Sequence, residues 1–216
     1  MEQIIQILKS NAFSWLVILI SLAFAFSFMN DLPDHLPIHF NTDSHADRYG
    51  SKLFALLFLP SMACVTVISV SGLLRMSPEG YKAEQSRRTV TQLNFGVTLF
   101  LMMIYVASLR EALEPGAWIS RAVPIGLSTL TVFMGNYFGK IERNFVVGFR
   151  LPWTVVSHDN WKQTHRFASR AFVASGIISL VWNCIRPNIL VSSVGIILPC
   201  VLAIIFSYRH FKKYQN

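Results

Sequence analysis

Apolar residues in this chain run in six blocks, at 12–29, 52–74, 90–109, 118–138, 171–185 and 189–208, and polar residues are largely confined to the connections between them. The blocks do not alternate with the two-residue period of a half-buried strand; they are apolar on nearly every side, as a helix surrounded by lipid must be. A hydrocarbon core about 30 Å thick needs roughly 20 helical residues at about 1.5 Å each, and the blocks approach that length. The one at 171–185 is short, so its rim or its neighbours are expected to cover a mismatch. The pattern predicts an all-α polytopic membrane protein with six transmembrane helices in one bundle. The first block is read as a retained helix, because it is full length and runs to Phe26-Ser-Phe-Met29 before Asp and Pro, without a small-residue cleavage site.

Charge gives this bundle an orientation. The net charge is +8, and its distribution matters more than its size. One set of connections carries Lys9, then Arg75, Lys82, Arg87 and Arg88, then Lys140, Arg143, Arg150, Lys162, Arg166 and Arg170, and finally Arg209, Lys212 and Lys213. The intervening connections carry only Arg48, Lys52, Arg110, Arg121 and Arg186. That alternation is the positive-inside pattern and places both the N and C termini in the cytoplasm. A basic face for anionic lipids comes second, and no direct nucleic-acid role is expected. Cys64, Cys184 and Cys200 all fall inside apolar blocks at spacings that suggest packing.

Two connections are long enough to hold structure. The extracellular loop 30–51 has Pro33 and Pro37, four residues apart, and Gly50 before the second long block, which favours extended, turn-rich backbone. Its three His and four Asp raise the question of zinc, with His35 and His39 four apart; solvation and turn capping account for the same residues, and no metal is expected. In the cytoplasmic loop 139–170, Pro152 forbids helix just before it, and Ser157 or Asn160 is placed to cap a helix starting near His158. Trp161, His165, Ala168 and Phe172 then form one helical face leading into the fifth block. Trp161 and Phe167 are expected near the lipid headgroups, with Lys162 and Arg166 reaching the anionic leaflet.

Signatures of zinc proteases, nucleotide-binding loops and serine hydrolases are absent from the sequence. His158 and His165 lack a nucleophile or oxyanion donors beside them, so no catalytic residue and no cofactor is predicted. The apolar blocks contain almost no ionisable group, which disfavours a proton path or an alternating-access carrier. Their polar residues, such as Asn94, Asn136, Asn183, Thr98 and Ser128, are expected to bond between helices. Gly135 and Gly139 permit a close helix crossing there, and Pro60 and Pro199 are expected to kink their spans.

Gly135-Asn136-Tyr137, Asn144, Gly148-Phe-Arg150-Leu-Pro152-Trp153-Thr154, Trp161, Thr164-His165-Arg166 and Arg170 resemble the signature of the SdpI family of bacterial immunity proteins. Leu32-Pro33, Pro37-Ile-His39-Phe-Asn41, Asp47 and Gly50-Ser-Lys52 resemble the domain of unknown function that often opens those proteins. The resemblance divides the chain into an N-terminal helix pair, 1–75, and a four-helix region, 76–216. It implies a multi-pass protein of the bacterial cytoplasmic membrane that protects against a secreted peptide toxin and, as in the best-known member, recruits a cytosolic repressor. On that reading Pro37, His39, Asn41 and Asp47 face the toxin. Asn136, Asn144, Gly148, Arg150, Pro152, Trp153, Trp161, His165 and Arg166 face the partner or hold the loop. Arg150 suits either a bidentate carboxylate contact or an internal tether. A small carrier of peptide or lipid, or a metal-dependent membrane enzyme, is the alternative.

Overall fold

The computed structural model describes residues 2–76, 83–116 and 118–214; Lys82, counted above among the cytoplasmic charges, lies outside the described residues. The elements in order are α1 (Glu2–Ser10), α2 (Ala12–Ser27), β1 (His35–Phe40), β2 (Ala46–Ser51), α3 (Lys52–Arg75), α4 (Ala83–Leu113), α5 (Trp118–Phe138), α6 (Pro152–Val156), α7 (His158–Ile185) and α8 (Ile189–Tyr214). Every apolar block is a helix. Among the described residues, four helices are long and apolar enough to cross a membrane, namely α3, α4 from Ser86, α7, and α8 to Lys213.

The other two apolar helices differ for identifiable reasons. α2 has only 16 residues, about 24 Å at about 1.5 Å per residue, because the chain bends at Asn11. There the side-chain amide donates to the Ile7 carbonyl, the acceptor that the Asn11 backbone N–H also uses. This separates the short helix α1, which the apolar blocks do not announce. α5 has 21 residues and a buried face of Gly126, Ser128, Thr131 and Gly135. It packs against α4, α7 and α8, so small and polar residues on that face meet protein and not lipid.

The short fifth block is not a short helix. α7 runs unbroken for 28 residues from His158, and the expected mismatch disappears. Ser157 caps it by accepting from the Asn160 N–H at 3.2 Å. Close packing of α5 on α7 follows from glycines: a Cβ on Gly135 would lie 2.8 Å from Val173 N, and one on Gly176 would lie 2.8 Å from Val132 N. Ser169 Oγ donates to the Gly135 carbonyl at 2.6 Å across this crossing. Pro60 and Pro199 lie inside α3 and α8, joined by Pro124 in α5.

Interhelical polar contacts are confirmed for part of the expected set. Asn94 Nδ2 donates to Ser71 Oγ (3.1 Å) and Asn11 Oδ1 (3.4 Å), tying α4 to α3 and the α1–α2 bend. Asn183 Nδ2 donates to Ser128 Oγ (3.0 Å) and Ser192 Oγ (2.8 Å), joining α7, α5 and α8. Asn136 instead is exposed and donates to Val132 of its own helix, while buried Thr98 Oγ1 has no partner. Apolar side chains cover much of the helix exterior, including Phe13 at 73% exposed, Ile178 at 70% and Ile185 at 76%. Such a surface is untenable in water and fitting in lipid. The free cysteines include exposed Cys184 on this exterior.

The expected extended loop is an antiparallel hairpin, an addition to the all-α prediction. His35 pairs with Ser51 and Phe40 with Ala46, with irregularities around His39. Asn41 closes the turn, its Oδ1 accepting from Asp43 N (3.0 Å) and His45 N (2.9 Å). Leu32 and Leu36 anchor the hairpin in a core with Ile18, Ala25, Leu56, Met102, Tyr105 and Leu109. A second core, at the opposite end, gathers Leu93, Phe138, Ile141, Trp161, Ala168, Phe172 and Ala203.

Candidate functional site

The loop between α5 and α7 folds into a knot on the buried face of α7. Asn144, fully buried, organises its first turn. Its Oδ1 accepts from Val146 N (2.7 Å) and Val147 N (2.8 Å), and its Nδ2 donates to the carbonyls of Glu142 (2.9 Å) and Val147 (3.1 Å). Two lone pairs and two protons are all used, so no other side chain of that size replaces it.

His165 is the centre of the knot. Its Nδ1 lies 2.8 Å from the Trp161 carbonyl and its Nε2 accepts from the Phe149 N–H at 3.0 Å. A carbonyl can only accept and an N–H can only donate, so this geometry specifies a neutral imidazole protonated on Nδ1. The ring stacks on Trp161 at 4.2 Å and 20°, and the Trp161 indole N–H donates to the Ile141 carbonyl at 2.8 Å. Gly148, at φ +123°, passes so near that a Cβ would sit 2.4 Å from His165 Nε2.

Pro152 opens α6, where a missing N–H costs nothing. Thr154 Oγ1 accepts from Leu151 N at 2.9 Å and donates to the Phe149 carbonyl at 2.6 Å. Trp153 Nε1 reaches α8, donating to Ser207 Oγ at 2.8 Å. Ser207 Oγ donates to Asn160 Oδ1 at 3.0 Å, and Thr164 Oγ1 donates to the same oxygen at 3.0 Å. Asn160 Nδ2 returns a bond to the Ser207 carbonyl at 3.1 Å. His210 Nε2 donates to Asp159 Oδ2 at 2.8 Å, closing α8 against the start of α7.

The knot brings together Asn144, Gly148, Pro152, Trp153, Trp161 and His165. Arg150 is exposed and donates to the Phe145 carbonyl within the loop; Arg166 is exposed with Lys162 and Arg170 on the outer side of α7. Asn136 stands apart on the exposed side of α5. One placement is corrected. Trp161 is 1% exposed and belongs to the protein interior, not the headgroup layer, because the loop folds over the face that was read as membrane-facing. Phe167 lies flat on Phe206 of α8 at 4.5 Å. His158 is exposed while His165 is buried, so the pair does not converge as an acid and a base.

At the hairpin end, His39 Nδ1 donates to Asp47 Oδ1 at 2.5 Å, both residues being exposed. That bond holds the Asp47 carboxyl below its ordinary value of 3.8. A lowered carboxyl contributes stability above the unfolded value and loses it as pH falls through the folded one. Protection of the amides of 35–51, measured against their intrinsic exchange rates, is therefore expected to fall as pH drops below about 3.8, and Asp47→Asn to remove that acid-dependent step; an unchanged profile in the variant would refute the link. Among the described residues no group of three His, Cys, Asp or Glu is placed to hold a metal.

Pro37 is buried, its carbonyl accepting from Ser108 Oγ at 3.4 Å, and it borders a cleft of about 450 Å³ between the hairpin and the α4–α5 turn. Phe40, His35, Asp43, His45, Tyr49 and Glu111 are among the other residues that line it, whereas His39, Asn41 and Asp47 lie outside it. Glu111 also shapes it, since its carboxylate accepts from Gly116 N (2.9 Å) and Trp118 N (3.0 Å) at the start of α5. Sequence reading missed Tyr49, Phe40 and Glu111 here, and Ser207 in the knot. Ser207 lies 47 residues from Asn160 with no local signal; one aromatic in each strand of the hairpin, Phe40 and Tyr49, was the available clue.

An apolar bundle with four helices of spanning length, and with structured polar elements at its two ends, defines a multi-pass protein of the cytoplasmic membrane. Residues 140–208, which contain the knot, match the SdpI/YfhL protein family, and residues 16–64, which contain the hairpin, match a domain of unknown function, DUF1648. The chain is 24% identical over 208 residues to the immunity protein SdpI of Bacillus subtilis (strain 168), covering 95% of this chain and 98% of that protein. No solved structure matches it. The two matched regions and the similarity along nearly the whole chain support membership of the SdpI family.

Proposed function

We propose that this protein protects its bacterial host against a secreted, membrane-active peptide by binding the peptide at the hairpin end, without enzymatic turnover. The observation that carries this reading is the breadth of the similarity to an immunity protein, 95% of this chain and 98% of the relative, so that the similarity is not confined to the hairpin or to the knot alone. Six spans with both termini cytoplasmic put fourteen of the 19 Lys and Arg on the inner side. The hairpin cleft then opens outward, where a secreted peptide arrives. Its aromatic and imidazole wall, with Glu111 behind, suits an amphipathic cationic segment.

The knot end then faces the cytosol. Exposed Arg150, Lys162 and Arg166 and the exposed apolar side chains Phe145 and Val156 all belong to this loop and the start of α7, a mixed surface suited to a cytosolic partner such as a repressor. Lys162, Arg166 and Arg170 also suit contact with anionic lipids of that leaflet. The buried members of the knot present this surface; they do not themselves meet a partner.

Survival and membrane potential of a sensitive bacterium, challenged with the peptide toxin of the best-known family member, test the proposal. Wild type is expected to protect. His45→Ala with Tyr49→Ala is expected to cut protection about tenfold or more, the loss of a hot-spot aromatic. Arg150→Ala with Arg166→Ala is expected to leave protection intact. Full protection by the cleft variant at equal membrane levels, or none by wild type, would sink the assignment.

A further inference from the structure

A second cleft, of about 670 Å³, lies at the other end of the bundle between the α1–α2 bend and the first turns of α4. Along α4 its lining runs from Arg87 and Arg88 through Gln92 to Phe95, and α2 contributes Phe13 and Ser14. Phe13 and Phe95 meet edge to face at 6.3 Å and 70°. From Arg87 to Phe95 the cleft follows α4 for about 12 Å, at about 1.5 Å per residue. It therefore grades from cationic to apolar, and no carboxylate is among the described residues that line it.

Ser14 supplies an independent sign of a missing ligand. It is 1% exposed, and its hydroxyl has no hydrogen-bond partner. Buried hydroxyls almost always find one. Trp15 Nε1 and Thr98 Oγ1 are also unpartnered, but neither residue borders this cleft. The polar floor is already satisfied within the protein, since Asn11 bonds to Ile7, Ser71 and Asn94. α1 contributes exposed Ile5 and Leu8 beside the bend, as a short interfacial helix does.

We propose that this cleft binds one anionic phospholipid. Its headgroup phosphate sits at Arg87 and Arg88, its glycerol ester oxygens accept from the Ser14 hydroxyl, and its acyl chains lie over Phe13 and Phe95. Guanidinium forks match phosphate oxygens in pairs, and a zwitterionic lipid adds an ammonium that the two arginines repel. The inference rests on the proposed six-span topology only for the leaflet: α2 and α4 both begin on the cytoplasmic side, which puts the arginines at inner headgroup depth and the phenylalanines deeper.

The test is native mass spectrometry of the full-length protein in neutral detergent, titrated with equal amounts of phosphatidylglycerol and phosphatidylcholine of the same chain length. One phosphatidylglycerol is expected to remain bound about tenfold in preference, and Arg87→Gln with Arg88→Gln to remove that preference. Ser14→Ala, which disturbs the fold least, is expected to lower occupancy by a smaller factor, and Arg186→Gln, exposed just past the end of α7 at the other end of the bundle, to leave it unchanged. Equal retention of the two lipids, or unchanged retention in both cleft variants, would overturn the proposal. Displacement of the lipid by inorganic phosphate alone would do so too, by assigning the arginines to a free anion. Because no toxin enters this measurement, a protein that keeps its lipid and fails to protect would refute only the immunity reading.

Discussion

Gly148→Ala is expected to destabilise the protein by about 3–5 kcal/mol, a large share of the typical stability of a folded domain. Two effects add at this residue. Its φ of +123° lies where residues with a Cβ are rarely found, a strain of about 1–3 kcal/mol. The new methyl would also lie 2.4 Å from His165 Nε2, so the ring or the loop must move. The ring has nowhere to go, held by the Trp161 carbonyl and stacked on the Trp161 indole. Moving the loop breaks the Phe149 N–H to His165 bond, and an orphaned buried donor costs about 1–3 kcal/mol. Thermal unfolding of the purified protein in detergent measures the effect. Gly72→Ala in α3, where a Cβ meets nothing within 4 Å, is the control and is expected to be neutral or stabilising by up to about 1 kcal/mol. Equal melting temperatures for wild type and Gly148→Ala would mean that the knot does not hold the protein together.

Trp161→Ala is expected to cost about as much, about 3–5 kcal/mol, by opening a cavity beneath the loop. Trp161 is among the largest fully buried side chains, and its removal also leaves the Ile141 carbonyl and one face of His165 without their partners. Trp161→Phe separates these contributions, since it keeps most of the ring volume and deletes the indole N–H. Its expected cost is about 1–3 kcal/mol. Hydrogen exchange should show where the damage falls: amides of 141–151 become fast in Trp161→Ala, while those of the hairpin keep their rate, because the two ends have separate cores. Loss of protection at the hairpin as well would show that the two ends are one cooperative unit.

Both predictions turn on residues that the sequence marked and whose roles it did not reveal. The four-three-four spacing of Trp161, His165, Ala168 and Phe172 correctly marked one helical face, because backbone geometry alone puts such residues in line. What that face meets depends on the path of 141–151, which comes back over it. That path is set by Asn144, Gly148 and Thr154 through contacts with their own backbone and with α7. A Trp on a basic helix near a membrane reads as an interfacial anchor until the covering loop is seen. The same holds at the other end. His, Asp and Asn in 30–51 marked a structured loop, yet the cleft wall is built from Phe40, Tyr49 and Glu111 as well, since Glu111 reaches it only through the α4–α5 turn.

The sequence by itself determined the class of protein, the helical blocks, the charge asymmetry and the SdpI resemblance. All of these are properties of neighbouring residues or of composition summed over a segment, and lipid solubility is such a sum. The sequence also marked the helix that starts near His158 and runs into the fifth block; only the tertiary structure decided that Trp161 and His165 are interior, that Asn136 stands apart, and that a polar chain runs from Trp153 through Ser207 to Asn160. Each of these depends on which partner a polar group finds. Inside a membrane protein that partner is a matter of distance in space, and no local pattern encodes it.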